Sequence, residues 1–103
     1  MEVTLGPVDA IPKGEGRTFD TGHRKIAVFR TRDGLVFASQ AECPHRNGPL
    51  ADGLLGGHTV ICPLHAWKFD LSTGQALNGD CSLKTYAARL TQAGQIVVEL
   101  GEA

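Results

Sequence analysis

Two short segments carry the side chains best equipped for chemistry, Cys43-Pro44-His45 and Cys62-Pro63-Leu64-His65. As a pattern they read C-x-H, 16 intervening residues, then C-x2-H, so each offers one thiol and one imidazole. Thiolates and neutral imidazoles donate to borderline and soft metal ions, and four of them gathered from two loops make a metal centre. Read as ordinary packing, cysteine belongs in cores and means little singly, but four such residues in two matched loops fit chance poorly. A structural zinc site is the second reading. Its usual spacing opens on C-x2-4-C and closes on H-x3-5-H, each pair drawn from one residue type, whereas here every loop mixes the two. Pro44 and Pro63 each follow a cysteine, where a fixed φ and a missing N–H stiffen the ligand loop.

Loops that must meet need rigid takeoff points, and strand ends supply them. Ile26, Val28 and Arg30 alternate with Ala27, Phe29 and Thr31; Asp33-Gly34 follows, and then Leu35–Ala38, which predicts a β-hairpin. Similar short runs occur at Glu2–Leu5, Arg17–Asp20, His58–Ile61, Trp67–Leu71, Leu83–Leu90 and Gln95–Leu100, each bounded by Gly, Pro or Asp. Only Ser39–Glu42 hints at a helical or turn element, and no window of 11 residues sustains a helical period. The expectation is an all-β fold of antiparallel strands, a sandwich or small barrel. Cys43–Gly57 and Cys62–Ala66 fall outside the strand pattern, and each pair of candidate ligands follows a strand.

The pattern C-x-H…C-x2-H at Cys43, His45, Cys62 and His65 resembles that of the Rieske family. The likeness runs from the Ile26–Ser39 hairpin through Cys43-Pro44-His45-Arg46-Asn47-Gly48-Pro49-Leu50 and Cys62–His65 to Phe69-Asp70-Leu71-Ser72-Thr73-Gly74 and the closing strands. It implies one [2Fe–2S] cluster per chain, with Cys43 and Cys62 on the inner iron and His45 and His65 on the outer. The implied fold is a Rieske-type antiparallel β-sandwich, a single domain over residues 1–103 with a small cluster-binding subdomain at about 41–79. Two thiolates and two neutral imidazoles leave the oxidised centre uncharged, where four thiolates would give it two negative charges. Histidine ligation therefore raises the potential above that of all-cysteine ferredoxins, to roughly −150 to +300 mV.

Departures from the pattern narrow the resemblance. Rieske proteins of the cytochrome complexes carry a disulfide between their two ligand loops; the matching positions are Gly48 and Leu64. They also place a serine and a tyrosine where Trp67 and Phe69 stand, and hydrogen bonds to cluster sulfur favour the reduced state. The chain thus looks like a low-potential Rieske ferredoxin. His65–Gly74 and Cys81-Ser82-Leu83-Lys84-Thr85-Tyr86 resemble the small subunit of assimilatory NAD(P)H nitrite reductase. The alternative is the ferredoxin component of an aromatic-ring dioxygenase or a diiron monooxygenase system. Either implies single electrons passing from a flavin-containing NAD(P)H reductase to a terminal oxidoreductase, a nitrite reductase large subunit or an oxygenase, with no catalytic site in this chain. The partner would dock over Pro44, Arg46, Leu64 and Ala66.

Four residues compete for roles and are expected to have none at the metal. Cys81 reads as a small buried or half-buried residue starting a strand; His23 and His58 read as turn-exposed surface histidines. Trp67 reads as packing over the cluster loop. The whole chain has 103 residues, enough for one domain, with 42% hydrophobic and 20% charged residues and 13 glycines that speak against a helical bundle. Its net charge is −1, without a block of like charge, so no nucleic-acid or membrane partner is expected. Three cysteines, an odd number, suit metal ligation plus a spare thiol in a reducing compartment. An N-terminus without a basic-then-apolar signal agrees with a cytoplasmic location.

Overall fold

The computed structural model describes residues 2–22, 24–43, 49–63, 67–77 and 81–100. Nine strands build two antiparallel sheets, and no α-helix occurs among the described residues. The larger sheet has the order β1-β9-β8-β4-β3-β2, from β1 (Glu2–Pro7), β2 (Glu15–Asp20), β3 (Lys25–Arg30), β4 (Val36–Gln40), β8 (Thr85–Leu90) and β9 (Gln95–Glu99). The smaller has the order β5-β6-β7, from β5 (Leu54–Gly56), β6 (Thr59–Ile61) and β7 (Lys68–Asp70).

β3 and β4 form the expected hairpin, in register from Ile26 opposite Gln40 to Arg30 opposite Val36. Its turn closes through the Gly34 N–H to the Thr31 carbonyl, with Gly34 at φ +89°, a region open to glycine. β8 pairs with β4 only at Ala38–Tyr86 and Ser39–Thr85, then turns to β9 from Ala87 to Leu90. That change of partner lets one sheet wrap two cores.

Alternation along β3 allots its residues to them. Ile26 and Val28 enter the base core with Ile11, Ala38, Ile96, Val98 and Leu100. Ala27 and Phe29 point the other way, into a second core shared with Cys43, Leu50, Val60, Cys62, Phe69, Leu71 and Leu83. Both faces of β3 are covered, which is why its run Ile26–Phe29 is wholly apolar.

Three expectations need correction. Ser39 and Gln40 end β4 instead of starting a helical element, because Ser39 is fully buried and Gln40 sits opposite Ile26 in the ladder. Cys43–Gly57 is not all irregular, since it holds a 3₁₀ turn at Leu50–Asp52 and β5, a strand of three residues too short to show a period. Cys81 is half-buried as expected but lies in the segment before the Gln75–Ser82 bridge, four residues ahead of β8.

Candidate metal centre

Each cysteine stands just beyond a strand, at the entrance of a loop closed across its neck. Cys43 follows β4; behind it the Leu50 N–H donates to the Ala41 carbonyl at 3.0 Å, and Glu42 bridges Pro49. Cys62 follows β6, and its own N–H donates to the Trp67 carbonyl at 2.7 Å where Ile61 pairs with Lys68. Both cysteines thus stand beside paired backbone, which fixes where each leaves its sheet.

The chain after the first loop returns across the root of the second. Gly53 ends the Leu50–Asp52 turn, donating its N–H to the Leu50 carbonyl at 2.9 Å. A Cβ at Gly53 would collide with the carbonyl of Ile61, the residue immediately before Cys62. Glycine is demanded there by the close approach of two backbones; its φ of −75° is open to any residue. Gly53 is therefore a positioning residue that sequence reasoning missed. Its only signal was a glycine between a loop and an unrecognised strand.

Cys43 and Cys62 share one buried core at 0% and 1% exposure, and neither is in a disulfide. Two reduced thiols buried in one core give soft, thiolate-type donors once deprotonated. Trp67 and Phe69 cover this core, their rings stacked with centroids 6.4 Å apart and planes 23° from parallel. Phe69 is fully buried, and neither ring carries a hydroxyl. The donor set fits an iron–sulfur cluster: the described residues supply the two thiols, while the expected imidazoles of His45 and His65 lie outside the described residues, as do Pro44, Arg46, Leu64 and Ala66. The described residues by themselves gather no group of three or more metal-binding side chains.

The other cysteine and histidines fall as follows. Cys81 packs half-buried against the same core, and its carbonyl accepts the Ala76 N–H. His23 lies outside the described residues. His58 is half-buried, not a free surface residue: Nε2 is 3.0 Å from Asp33 Oδ2, and its ring lies 5.0 Å from that of Phe37. It joins the β5–β6 turn to the β3–β4 turn, at the ends of the strands remote from Cys43 and Cys62. The Thr31 hydroxyl and then His58 hold the Asp33 carboxyl below its ordinary range. The Ser72 hydroxyl and N–H do the same for Asp70 in the turn after β7.

The family model of the Rieske [2Fe-2S] domain matches residues 1–89. The 3-phenylpropionate/cinnamic acid dioxygenase ferredoxin subunit of Escherichia coli K12 is 38% identical over 100 residues, covering 94% of this chain and 92% of that one. A crystal structure described as the NADH-dependent nitrite reductase small subunit of Mycobacterium tuberculosis superposes with a TM-score of 0.91 at 25% identity, covering 100% of this chain and 97% of that one. The ferredoxin of carbazole 1,9a-dioxygenase from Nocardioides aromaticivorans superposes with a TM-score of 0.84 at 25% identity, covering 95% and 96%.

Proposed function

The chain belongs to the Rieske [2Fe–2S] domain family, and from that premise we propose that it is the ferredoxin component of an oxygenase system, fed by a flavin-containing NAD(P)H reductase. Its role is that of an electron carrier partnered by oxidoreductases. The bound [2Fe–2S] cluster, one per chain, supplies reversible uptake of a single electron. We assign Cys43 and Cys62 to one iron and His45 and His65 to the other. The remaining chemistry belongs to the protein. The two loop necks hold the thiols in place, Gly53 lets the loops approach, and the stacked Trp67 and Phe69, neither with a hydroxyl, keep water from the cysteine side. The reading treats residues 1–103 as one domain, with its cluster-binding part at about 41–79, working in the cytoplasm.

The observation that carries the choice of oxygenase is the 38% identity spread over 94% of the chain. A second reading, the small subunit of a nitrite reductase, is favoured by the TM-score of 0.91 over the whole chain. Backbone likeness is shared by both kinds of relative and does not by itself imply function, so the higher side-chain identity favours the first reading. Iron and acid-labile sulfide analysis should return about two of each per chain. The loaded protein should be reduced by NADH only when a flavin reductase is added, and reoxidised by a ring-hydroxylating oxygenase with its aromatic substrate. Co-purification with a siroheme-containing subunit from the native cell would move the assignment to nitrite reductase, and stoichiometric zinc in a colourless protein would overturn both.

A further inference from the structure

Most arginines of the described residues face a carboxylate. Arg17 lies 3.1 Å from Glu15, Arg30 3.8 Å from Asp9 and Arg89 3.3 Å from Glu2. Arg32 departs from this rule, and so do Arg24 and Lys84. Among the described residues no carboxylate pairs with either, and both gather on the one tyrosine of the chain. Arg24 Nη1 donates to Tyr86 Oη at 3.2 Å, its guanidinium carbon lies 5.8 Å from the ring centroid, and Lys84 Nζ lies 5.6 Å from the same centroid.

Two like charges gain nothing from each other's company. The negative face of the ring offsets part of their repulsion, leaving a site with two positive charges, an aromatic surface and unmet demand for anions. It is not a by-product of net charge, which is −1 for the whole chain. Of the acids in the adjoining segments, Asp20 accepts the Gly22 N–H.

The site is also tied to the metal centre. Gln40 donates its N–H to the Lys84 carbonyl at 2.9 Å, accepts the Lys84 N–H on Oε1 at 2.8 Å and donates Nε2 to the Glu42 carbonyl at 2.7 Å. One side chain thereby fastens the cationic site to the strand end that leads to Cys43.

We propose that Arg24, Lys84 and Tyr86 form a docking patch for an acidic segment of the protein that exchanges electrons with this one. The proposal rests on the carrier reading given above. Two cations around a ring suit one or two carboxylates; a phosphate polymer or an anionic bilayer calls for a longer run of cations. Exposed charges of this kind steer encounter and orient the partner, and their effect falls with salt.

The four lysines, Lys13, Lys25, Lys68 and Lys84, provide an internal comparison. Cluster-loaded protein is exposed to hexaglutamate activated in advance with carbodiimide, and the lysines that form amides are mapped by mass spectrometry. Lys84 should be labelled at least about fivefold above Lys13. Arg24→Gln should cut the Lys84 yield about threefold and leave Lys13 unchanged, and about 0.5 M sodium chloride should erase the preference. Even labelling of the lysines, or no response to Arg24→Gln, would overturn the patch. Competition by inorganic phosphate as strong as that by free hexaglutamate would reassign it to a small anion, and Arg24-dependent binding to phosphatidylglycerol vesicles would reassign it to a membrane. Voltammetry on the same samples tests the carrier reading alone. A normal one-electron wave with even labelling breaks only the patch, whereas no wave at all breaks the carrier reading on which it rests.

Discussion

The two cores that share β3 are built to different ends. The base core is aliphatic throughout, Ile11, Ile26, Val28, Ala38, Ile96, Val98 and Leu100, and is drawn largely from strands paired with long registers. The second core has aromatic rings, two reduced cysteines and residues taken from loop necks and three-residue strands. Apolar burial alone stabilises the first, at roughly 25 cal/mol per Å² removed from water. The second has less regular backbone to hold it, and two of its members are the cysteines assigned above as proposed ligands. The difference teaches that one strand can serve stability on one face and chemistry on the other, so damage to the two faces should be separable.

The largest separation comes from the ligands. Cys43→Ala, Cys62→Ala, His45→Ala or His65→Ala should each abolish the visible absorbance and the iron content, because metal binding here depends on every donor. Cys81→Ser and His58→Ala should leave the spectrum intact. Loss of the cluster in His58→Ala would show that the ligands are wrongly assigned.

On the other face, Ile96→Ala should cost about 2–5 kcal/mol in unfolding free energy, the range for truncating a buried aliphatic chain. Iron per folded molecule should not change. If iron falls in step with stability, the two cores are one unit and the comparison fails.

Gly53→Ala sharpens the contrast from within the second core. Its new methyl must push against the Ile61 carbonyl, for about 1–3 kcal/mol of strain and a lower iron occupancy. Gly56→Ala, where a Cβ meets nothing within 4 Å, is the matched control and should retain full iron.

The next effect is electrical. With no hydroxyl on Trp67 or Phe69, the midpoint potential should lie at about −150 to 0 mV, the lower part of the Rieske range. Trp67→Ser with Phe69→Tyr should raise it by on the order of 60 mV, which equals about 1.4 kcal/mol for one electron. Voltammetry on both proteins decides this, and a wild-type midpoint near about +300 mV would contradict the low-potential assignment.

The smallest effect concerns the far end of the interface between the sheets, where His58 meets Asp33. Asp33 titrates below its ordinary value because of the Thr31 hydroxyl first and His58 second. A carboxyl depressed in the folded state adds stability above its unfolded pKa and loses it as the pH falls through the folded value. Thermal denaturation should therefore show a small loss of stability below about pH 4, and Asp33→Asn should flatten that slope. An unchanged slope in the variant would remove His58–Asp33 as a tie between the sheets.

By itself the sequence determined the family, its cofactor and most of the strands. The donor types and their spacing, C-x-H and C-x2-H, do not depend on how the chain folds, and period-two alternation marks any strand long enough to show it, as at Ile26–Arg30. Where the structure was needed, the cause was distance in the chain or shortness of the element. β5 has three residues and therefore no period, and Ser39-Gln40 resembled a turn until the partners of β4 were known. The need for glycine at position 53 comes from the Ile61 carbonyl, and the role of Arg24 comes from Tyr86, which stands 62 residues away. Local propensity and ligand type are written residue by residue, but the close approach of two backbones, or of two cations to one ring, is a property of pairs that only the tertiary fold creates.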